Sequence, residues 1–325
     1  VARHAGVSTA TVSRIINGVT NKASANTIAR VQKAVSDLGY RPSSAGQTLR
    51  RSESRLVALV AANLANPAMS AIAASVEVAL REKGLVMVLC DSHDRPDLQD
   101  EYLLEMRAQA VQGFILLGAV DSPALKEMVS AGQSIVFVNR ASPLGNGSAF
   151  VGIDNAQAGA DVAEFLSEKD VREPLVIHGS LASSATAIRV DAFQARFKEL
   201  CGRRAVVEGS DSLDHMEIGR QKVAAFITAN GRPPEGVFCL SDLIAYGAAR
   251  ALREAGYVPE QDCVLIGFDD NPMNDWIAPW LTSVRVPYLQ FGPVIVDTML
   301  NLGSGQKAPV VELPHELVDR SHWRS

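Results

Sequence analysis

From residue 56 onward the chain alternates short apolar runs with longer amphipathic stretches, and no other feature limits the fold as much. The apolar runs fall at residues 56–60, 85–90, 114–117, 135–138, 149–153, 175–177, 205–208, 237–239 and 264–266. Helical stretches are expected between them at 67–83, 97–110, 156–168, 187–200, 216–229 and 243–255. Runs that are apolar throughout fit strands buried on both faces, and repeated strand–helix units of this kind build parallel sheets covered by helices on both sides. Ligands of such sheets bind at the carboxyl ends of the strands, commonly in a cleft between two lobes. The 325 residues suffice for two or three domains at about 100–200 residues each.

Composition removes other classes. With 47% hydrophobic and 21% charged residues, the chain is not collagen-like, mucin-like or wholly disordered. No run of about 18 apolar residues is present, so no transmembrane helix and no membrane partner are expected. The N-terminus also lacks the apolar core and cleavage site of a secretory signal. Cys90, Cys201, Cys239 and Cys263 are far apart with no C-x-x-C, which fits free thiols in a reducing cytoplasm.

The net charge of −5 conceals an asymmetry. Residues 1–55 hold nine basic side chains against Asp37 and Glu53, a formal +7, which leaves −12 on the remainder. A basic head on an acidic body suits a chain whose head alone meets a polyanion. The head also has helical punctuation. Gly6 closes a short first helix, and Ser8 sits where an N-cap belongs. Val12, Ile15 and Ile16 then share one face, with Ala10, Arg14 and Asn17 opposite. A third helix is expected from 25 to 38, burying Ile28, Val31, Val35 and Leu38, with Gly39 as its C-cap. Three short helices with a glycine turn between the first two describe a helix-turn-helix, whose second helix enters the major groove.

Residues 1–18, running from Val1-Ala2-Arg3-His4-Ala5-Gly6-Val7-Ser8 through Ile15-Ile16-Asn17-Gly18, resemble the N-terminal signature of the LacI/GalR family of bacterial transcription regulators. Leu38-Gly39-Tyr40-Arg41-Pro42 continues the likeness. The family usually has several residues before the first Val-Ala, so the first helix is expected to be truncated here. The resemblance implies that Thr9, Ala10 and Arg14 face base edges. Arg14 suits that role chemically, because a guanidinium can grip guanine O6 and N7 together; a phosphate clamp is the other reading. Thr11, Ser13 and Asn17 are expected to orient the helix on the DNA backbone.

In the family, the stretch equivalent to residues 41–55 becomes a helix on the operator, and paired leucines wedge into the minor groove. Leu49 holds the wedge position. Gly46 lowers helix propensity by about 1 kcal/mol relative to Ala, and Gln47 replaces an Arg. A weaker or differently tuned hinge is therefore expected; a plain linker is the alternative.

The likeness extends over the body through Leu64-Ala65-Asn66-Pro67, Val151-Gly152-Ile153-Asp154-Asn155, Ser241-Asp242, Ile266-Gly267-Phe268-Asp269-Asp270 and Leu281-Thr282-Ser283-Val284. It implies a two-lobed α/β core of the type I periplasmic-binding-protein kind, behind an all-α helix-turn-helix head. The expected division is a head at 1–40, a hinge at 41–55, a first lobe from 56–156 and 286–314, and a second lobe from 157–285 and 315–325.

Effector positions implied by the family are Ala68, Met69, Asp154, Arg189, Ser241, Asp269 and Tyr288. Carboxylate and guanidinium at fixed places suit the adjacent hydroxyls of a sugar, one accepting and the other donating pairs of hydrogen bonds. Asp154-Asn155 also reads as a helix cap. Ser241 stands where the family commonly has Asn, and Ala68-Met69 replaces a bulky aromatic pair, so the wall is smaller or softer. Arg140 could add a second positive charge for a sugar acid or phosphate, or pair with an acid instead.

Catalytic chemistry is hard to find. There is no phosphate-binding loop, no dinucleotide fingerprint, no H-E-x-x-H and no nucleophile elbow. The six histidines are scattered without metal-ligand spacing. Asp269-Asp270 is no catalytic pair, because neighbours on an extended segment point opposite ways. The expectation is a cytoplasmic, nucleoid-associated homodimeric regulator, without metal or cofactor, that binds a near-palindromic duplex and a carbohydrate effector. A solute-binding protein of a transport system is the alternative; a hydrolase or kinase on the α/β core lacks its nucleophile or phosphate loop. The last ten residues show no heptads, so no coiled-coil tail is expected.

Overall fold

The computed structural model describes residues 1–40, 54–145, 147–302 and 308–320. The chain divides into two units, 1–54 and 55–325. The hinge residues Gly46, Gln47 and Leu49 lie outside the described residues, as do the last five of the chain.

In the head, α1 (Ala2–Ala5) ends at Gly6, whose φ of 62° is the left-handed conformation that glycine adopts without strain. Arg30 locks this turn by donating from Nη2 to the carbonyls of Ala5 (2.6 Å) and Gly6 (3.0 Å). Ser8 caps α2 (Thr9–Ile16) by accepting from the Thr11 amide, and Ser24 caps α3 (Ala25–Asp37) in the same way through Thr27. Ala5, Val12, Ile15, Val31 and Ala34 form the small core, with Ile16, Ile28 and Val35 packed on it. Leu38 departs from expectation. It lies beyond the last turn of α3 and is 51% exposed, because the helix axis has carried it off the buried stripe.

The larger unit contains two six-stranded sheets. The first is built from β1 (Leu56–Ala61), β2 (Val86–Asp91), β3 (Phe114–Leu117), β4 (Ile135–Val138), β5 (Ala149–Ile153) and β11 (Val310–Leu313), in the order β11-β5-β4-β3-β1-β2. The second uses β6 (Pro174–His178), β7 (Val206–Gly209), β8 (Gly236–Cys239), β9 (Val264–Asp269), β10 (Thr282–Arg285) and β12 (Glu316–Val318), in the order β12-β10-β9-β8-β6-β7. Every pairing is parallel except β10 with β12. β3, β4, β6 and β8 are buried along their whole length, which is why they read as continuous apolar runs.

Helices α4 (Pro67–Glu82), α5 (Pro96–Ala108) and α6 (Pro123–Ser130) follow the strands of the first sheet. Helix α6 is absent from the sequence reading: its eight residues supply too few turns for a clear apolar period. Helices α7 (Asn155–Glu168), α8 (Ser184–Cys201), α9 (His215–Asn230) and α10 (Asp242–Glu254) serve the second sheet, with two single-turn helices, α11 (Pro259–Asp262) and α12 (Asn274–Ile277). After β10 the chain returns through α13 (Tyr288–Leu300), which packs on α4, adds β11 beside β5, and crosses again to pair β12 with β10. The chain therefore passes between the sheets three times, and the strand ends of both sheets face one cleft.

Candidate functional site

On α2 the caps fix which polar groups stay available. The Thr11 hydroxyl is hydrogen-bonded to Ser8 Oγ (2.9 Å), and the Asn17 amide donates to the Ser13 carbonyl (2.7 Å). Thr9, Ala10, Arg14 and Asn17 form the exposed face. Arg14 donates only through Nε, to Ala10 O at 3.3 Å, and its two terminal nitrogens have no partner among the described residues. An exposed, unpaired guanidinium beside two small residues is what base-edge reading requires.

The cleft is lined from both lobes, the usual place for a small-molecule site in such a core. Arg189 projects from α8, where the preceding capped turn (Ser183 to Thr186 N) aims its helix at the strand ends. Its Nε donates to Asn155 Oδ1 at 2.7 Å, and its guanidinium lies 3.6 Å from the centroid of the Phe268 ring. Burial lowers its pKa to about 10, opposed by the nearby Asp269 charge. It remains a cation at neutral pH. Its terminal nitrogens make no hydrogen bond among the described residues.

Asp269 ends β9 and faces the same cavity without an ion pair to Arg189. Burial, reinforced by the Asp242 charge and opposed by Arg189, raises its pKa to about 7. The Tyr288 hydroxyl is buried beside them as a hydrogen-bonding neighbour of the Asp269 carboxyl. Burial and the neighbouring Asp269 charge hold that phenol firmly in its neutral form. Three polar groups of different character thus converge on one space. Ala68, Met69, Ile72 and Phe291 supply an apolar wall.

Ser241 lines the cavity as well, but its oxygen already caps α10 by accepting from Ile244 N (3.3 Å). His215 Nδ1 lies 3.1 Å from the same oxygen. Burial, then the charge of Arg140, lowers the His215 pKa, so the ring is neutral. Arg140 is not a second free cation: Asp94 grips it bidentately, with Nη2 3.0 Å from Oδ2. Asp154 is corrected too. Its carboxylate accepts from Gln157 N (2.9 Å) and caps α7, outside the cavity lining, while Asn155 turns inward to Arg189.

Beneath the site, Asp242 accepts from Asn271 N (2.7 Å), Asn274 Nδ2 (2.8 Å) and Ser283 Oγ (2.6 Å), and burial raises its pKa to about 6. Asp270 faces away from the cavity to Arg285 at the end of β10 (2.7 Å) and Arg320 just beyond β12 (2.6 Å). The backbone turns at φ 110° and 48° over Asp269 and Asp270, a conformation L-residues rarely adopt. The sequence reading did not find His215, Asn155 or Phe268. None of them belongs to a spacing pattern, and only the adjacency of Asn155 to Asp154 gave a hint.

Fold and cleft together define a two-lobed ligand-binding core of the periplasmic-binding-protein kind, carried behind a helix-turn-helix head. The family of bacterial regulatory proteins of the lacI kind matches residues 1–43, and the periplasmic binding protein domain matches residues 57–275. The HTH-type transcriptional regulator PtxS of Pseudomonas putida is 29% identical over 304 residues, covering 92% of this chain and 87% of the relative. The crystal structure of the Lac repressor dimer bound to operator and the anti-inducer ONPF shares the fold, with a TM-score of 0.83 at 23% identity over 98% of this chain and 96% of that one. The complex of the transcriptional regulator CelR with cellobiose has a TM-score of 0.72 at 28% identity, over 98% and 97% of the two chains. The chain belongs to the periplasmic binding protein domain family through residues 57–275 and carries a lacI-type regulatory head at residues 1–43: it is a DNA-binding transcriptional regulator with a ligand-binding domain, as the relatives it matches are named. Among the described residues, no helix is long and apolar enough to cross a membrane.

Proposed function

We propose that this regulator is a homodimeric repressor in the cytoplasm whose hold on a near-palindromic operator is set by a neutral carbohydrate bound in the cleft. One observation carries the ligand class: Arg189 and Asp269 face the same cavity without an ion pair between them, with the buried Tyr288 hydroxyl beside Asp269. A polyol matches that set. Its vicinal hydroxyls accept from the guanidinium and donate to the carboxylate, and its C–H face packs on the wall around Met69 and Phe291. The Asp94–Arg140 pair disfavours a sugar acid or sugar phosphate, since the second cation is already neutralised. Cellobiose in CelR and the operator-bound Lac repressor dimer point the same way.

Arg14, Thr9 and Ala10 read base edges, and Thr11, Ser13 and Asn17 set the helix on the backbone. Leu49 is the minor-groove wedge. The lobes divide at 56–156 with 286–314 and 157–285 with 315–325. Selection from a random duplex library, with and without a panel of neutral sugars, tests the reading. An enriched near-palindrome whose recovery changes with one sugar supports it; no enrichment under any condition contradicts it.

A further inference from the structure

We propose that Asp242 is a positioning residue for the ligand site: from outside the cleft, its carboxylate holds the turn after β9 in the conformation that presents Asp269 to the cavity. The inference rests on the reading of Asp269 as a ligand contact and adds the group that keeps it in place. Asp269 and Asp270 both have left-handed backbones, at φ 110° and 48°. Residues other than glycine rarely adopt such angles, which persist where the surroundings over-determine them. Here the surroundings that do so lie on α10 and β10, and Asp242 is not part of the cavity lining.

Asp242 stands in the first turn of α10, directly after Ser241, and is 1% exposed. Its Oδ2 accepts from Asn271 N at 2.7 Å and from Asn274 Nδ2 at 2.8 Å. Its Oδ1 accepts from Ser283 Oγ at 2.6 Å, and that hydroxyl oxygen in turn accepts from Asp270 N at 3.1 Å. The two amides that follow Asp269 are thus tied to one carboxylate, the second directly and the first through Ser283. Asn274 is fixed as well, because the Tyr246 hydroxyl donates to its Oδ1 at 2.7 Å. A Cβ at Gly267 would collide with Asp242 Oδ1, so this glycine makes room for the carboxylate beside the strand that carries Asp269.

An acidic residue in a first helical turn can serve its own helix alone. Here all three donors come from the turn after β9 and from β10. Burial raises the Asp242 pKa to about 6 against the lowering by these three bonds, so the group is ionised at neutral pH. An ionised carboxylate has acceptor sites for all three donors at once. The Asp270 side chain is fastened separately, by Arg285 and Arg320. Asp242 therefore acts on the backbone of the turn, and through it on the direction of Asp269.

The test reads the ligand-free full chain, so it is decided apart from the carbohydrate reading, which the selection with neutral sugars addresses. Ser283→Ala removes the bridge without touching the cavity lining or any charge. Hydrogen exchange at the Asp270 amide should quicken about tenfold or more, as loss of one buried hydrogen bond predicts, while the Asn271 amide stays protected. Asp242→Ala should release both amides. The Asp269 titration, followed by the carboxyl-labelled aspartate resonance that Asp269→Asn removes, supplies the second readout. Its midpoint should fall from about 7 toward the ordinary carboxylate range in Ser283→Ala, as the turn relaxes and the carboxyl gains water. Asp242, Arg189 and Tyr288 are the titratable groups acting on that carboxyl, and Ser283→Ala alters none of them. Should Asp242→Ala fold poorly, Ser283→Ala decides alone. Unchanged exchange at Asp270, or an unchanged Asp269 midpoint, overturns the assignment. Exchange that quickens equally throughout β9 and α10 overturns it as well, since that marks a general loosening of the lobe.

Discussion

Arg189 sits over Phe268, its guanidinium carbon 3.6 Å from the ring centroid, while its Nε donates to Asn155 Oδ1 at 2.7 Å. The ring contact and a single hydrogen bond hold the guanidinium in the cavity wall, and its terminal nitrogens make no hydrogen bond among the described residues. A cation this deeply buried without an acidic partner in contact is costly to maintain, and its survival here is explained by the ligand it is placed to meet.

Arg189→Lys keeps the charge but loses the planar fork and the stack. It should weaken saccharide binding by about 10- to 100-fold, and Asn155→Ala by a smaller factor through loss of orientation. Titration of both variants with the same sugar checks this. Equal affinity in Arg189→Lys and the parent would show that the fork does not read the ligand.

Asp269 gives binding a pH dependence. The ligand's hydroxyls donate to the carboxylate form, whereas the free site is half protonated at about pH 7. Affinity should therefore fall as pH drops below about 7, by up to about tenfold per pH unit, and Asp269→Asn should abolish the trend. Stability has the opposite sign. The folded pKa is raised, so the contribution of this group is present below the ordinary carboxylate range and is lost as pH rises through about 7. Asp242, raised to about 6, adds to the same decline. Thermal denaturation from pH 5 to 8 should show Asp269→Asn gaining on the parent as pH rises.

The paired strand–helix units were legible because strands buried on both faces leave unbroken apolar runs, and Ser8 and Gly6 announced the head. Parity along the chain decided the rest. At Asp154-Asn155 the cap geometry turns the carboxylate outward and the amide inward, and periodicity cannot choose between adjacent polar residues. Leu38 failed for a related reason: a stripe of period 3.6 continues in sequence after the helix has ended. His215 and Phe268 reach the cleft only through tertiary packing, so no local pattern marks them.

Helices α9 and α10 approach backbone to backbone. A Cβ on Gly247 would collide with the Met216 carbonyl, and one on Gly219 with the Ile244 carbonyl. Backbone cannot move aside as a flexible side chain can, so Gly247→Ala should destabilise the core by about 1–3 kcal/mol or more. Urea unfolding with an unchanged slope would register it. His215 begins α9 and Ser241 caps α10, so ligand affinity should fall with it.

In the head, Ser8→Ala removes the cap of α2 and should cost about 1 kcal/mol. Arg14→Ala should leave folding intact and cost about 1–3 kcal/mol of discrimination at one base pair. Binding to a set of single-base operator variants separates base reading from phosphate contact, which would weaken every sequence alike.

The central claim is that occupancy of the cleft and occupancy of DNA are linked. The direct measurement is the affinity of the effector for the free protein and for its operator complex, alongside operator affinity with and without effector. Linkage requires the two ratios to be the same factor, and Arg189→Lys should lose effector affinity while retaining operator binding. Effector affinity that is identical with and without operator would contradict the account.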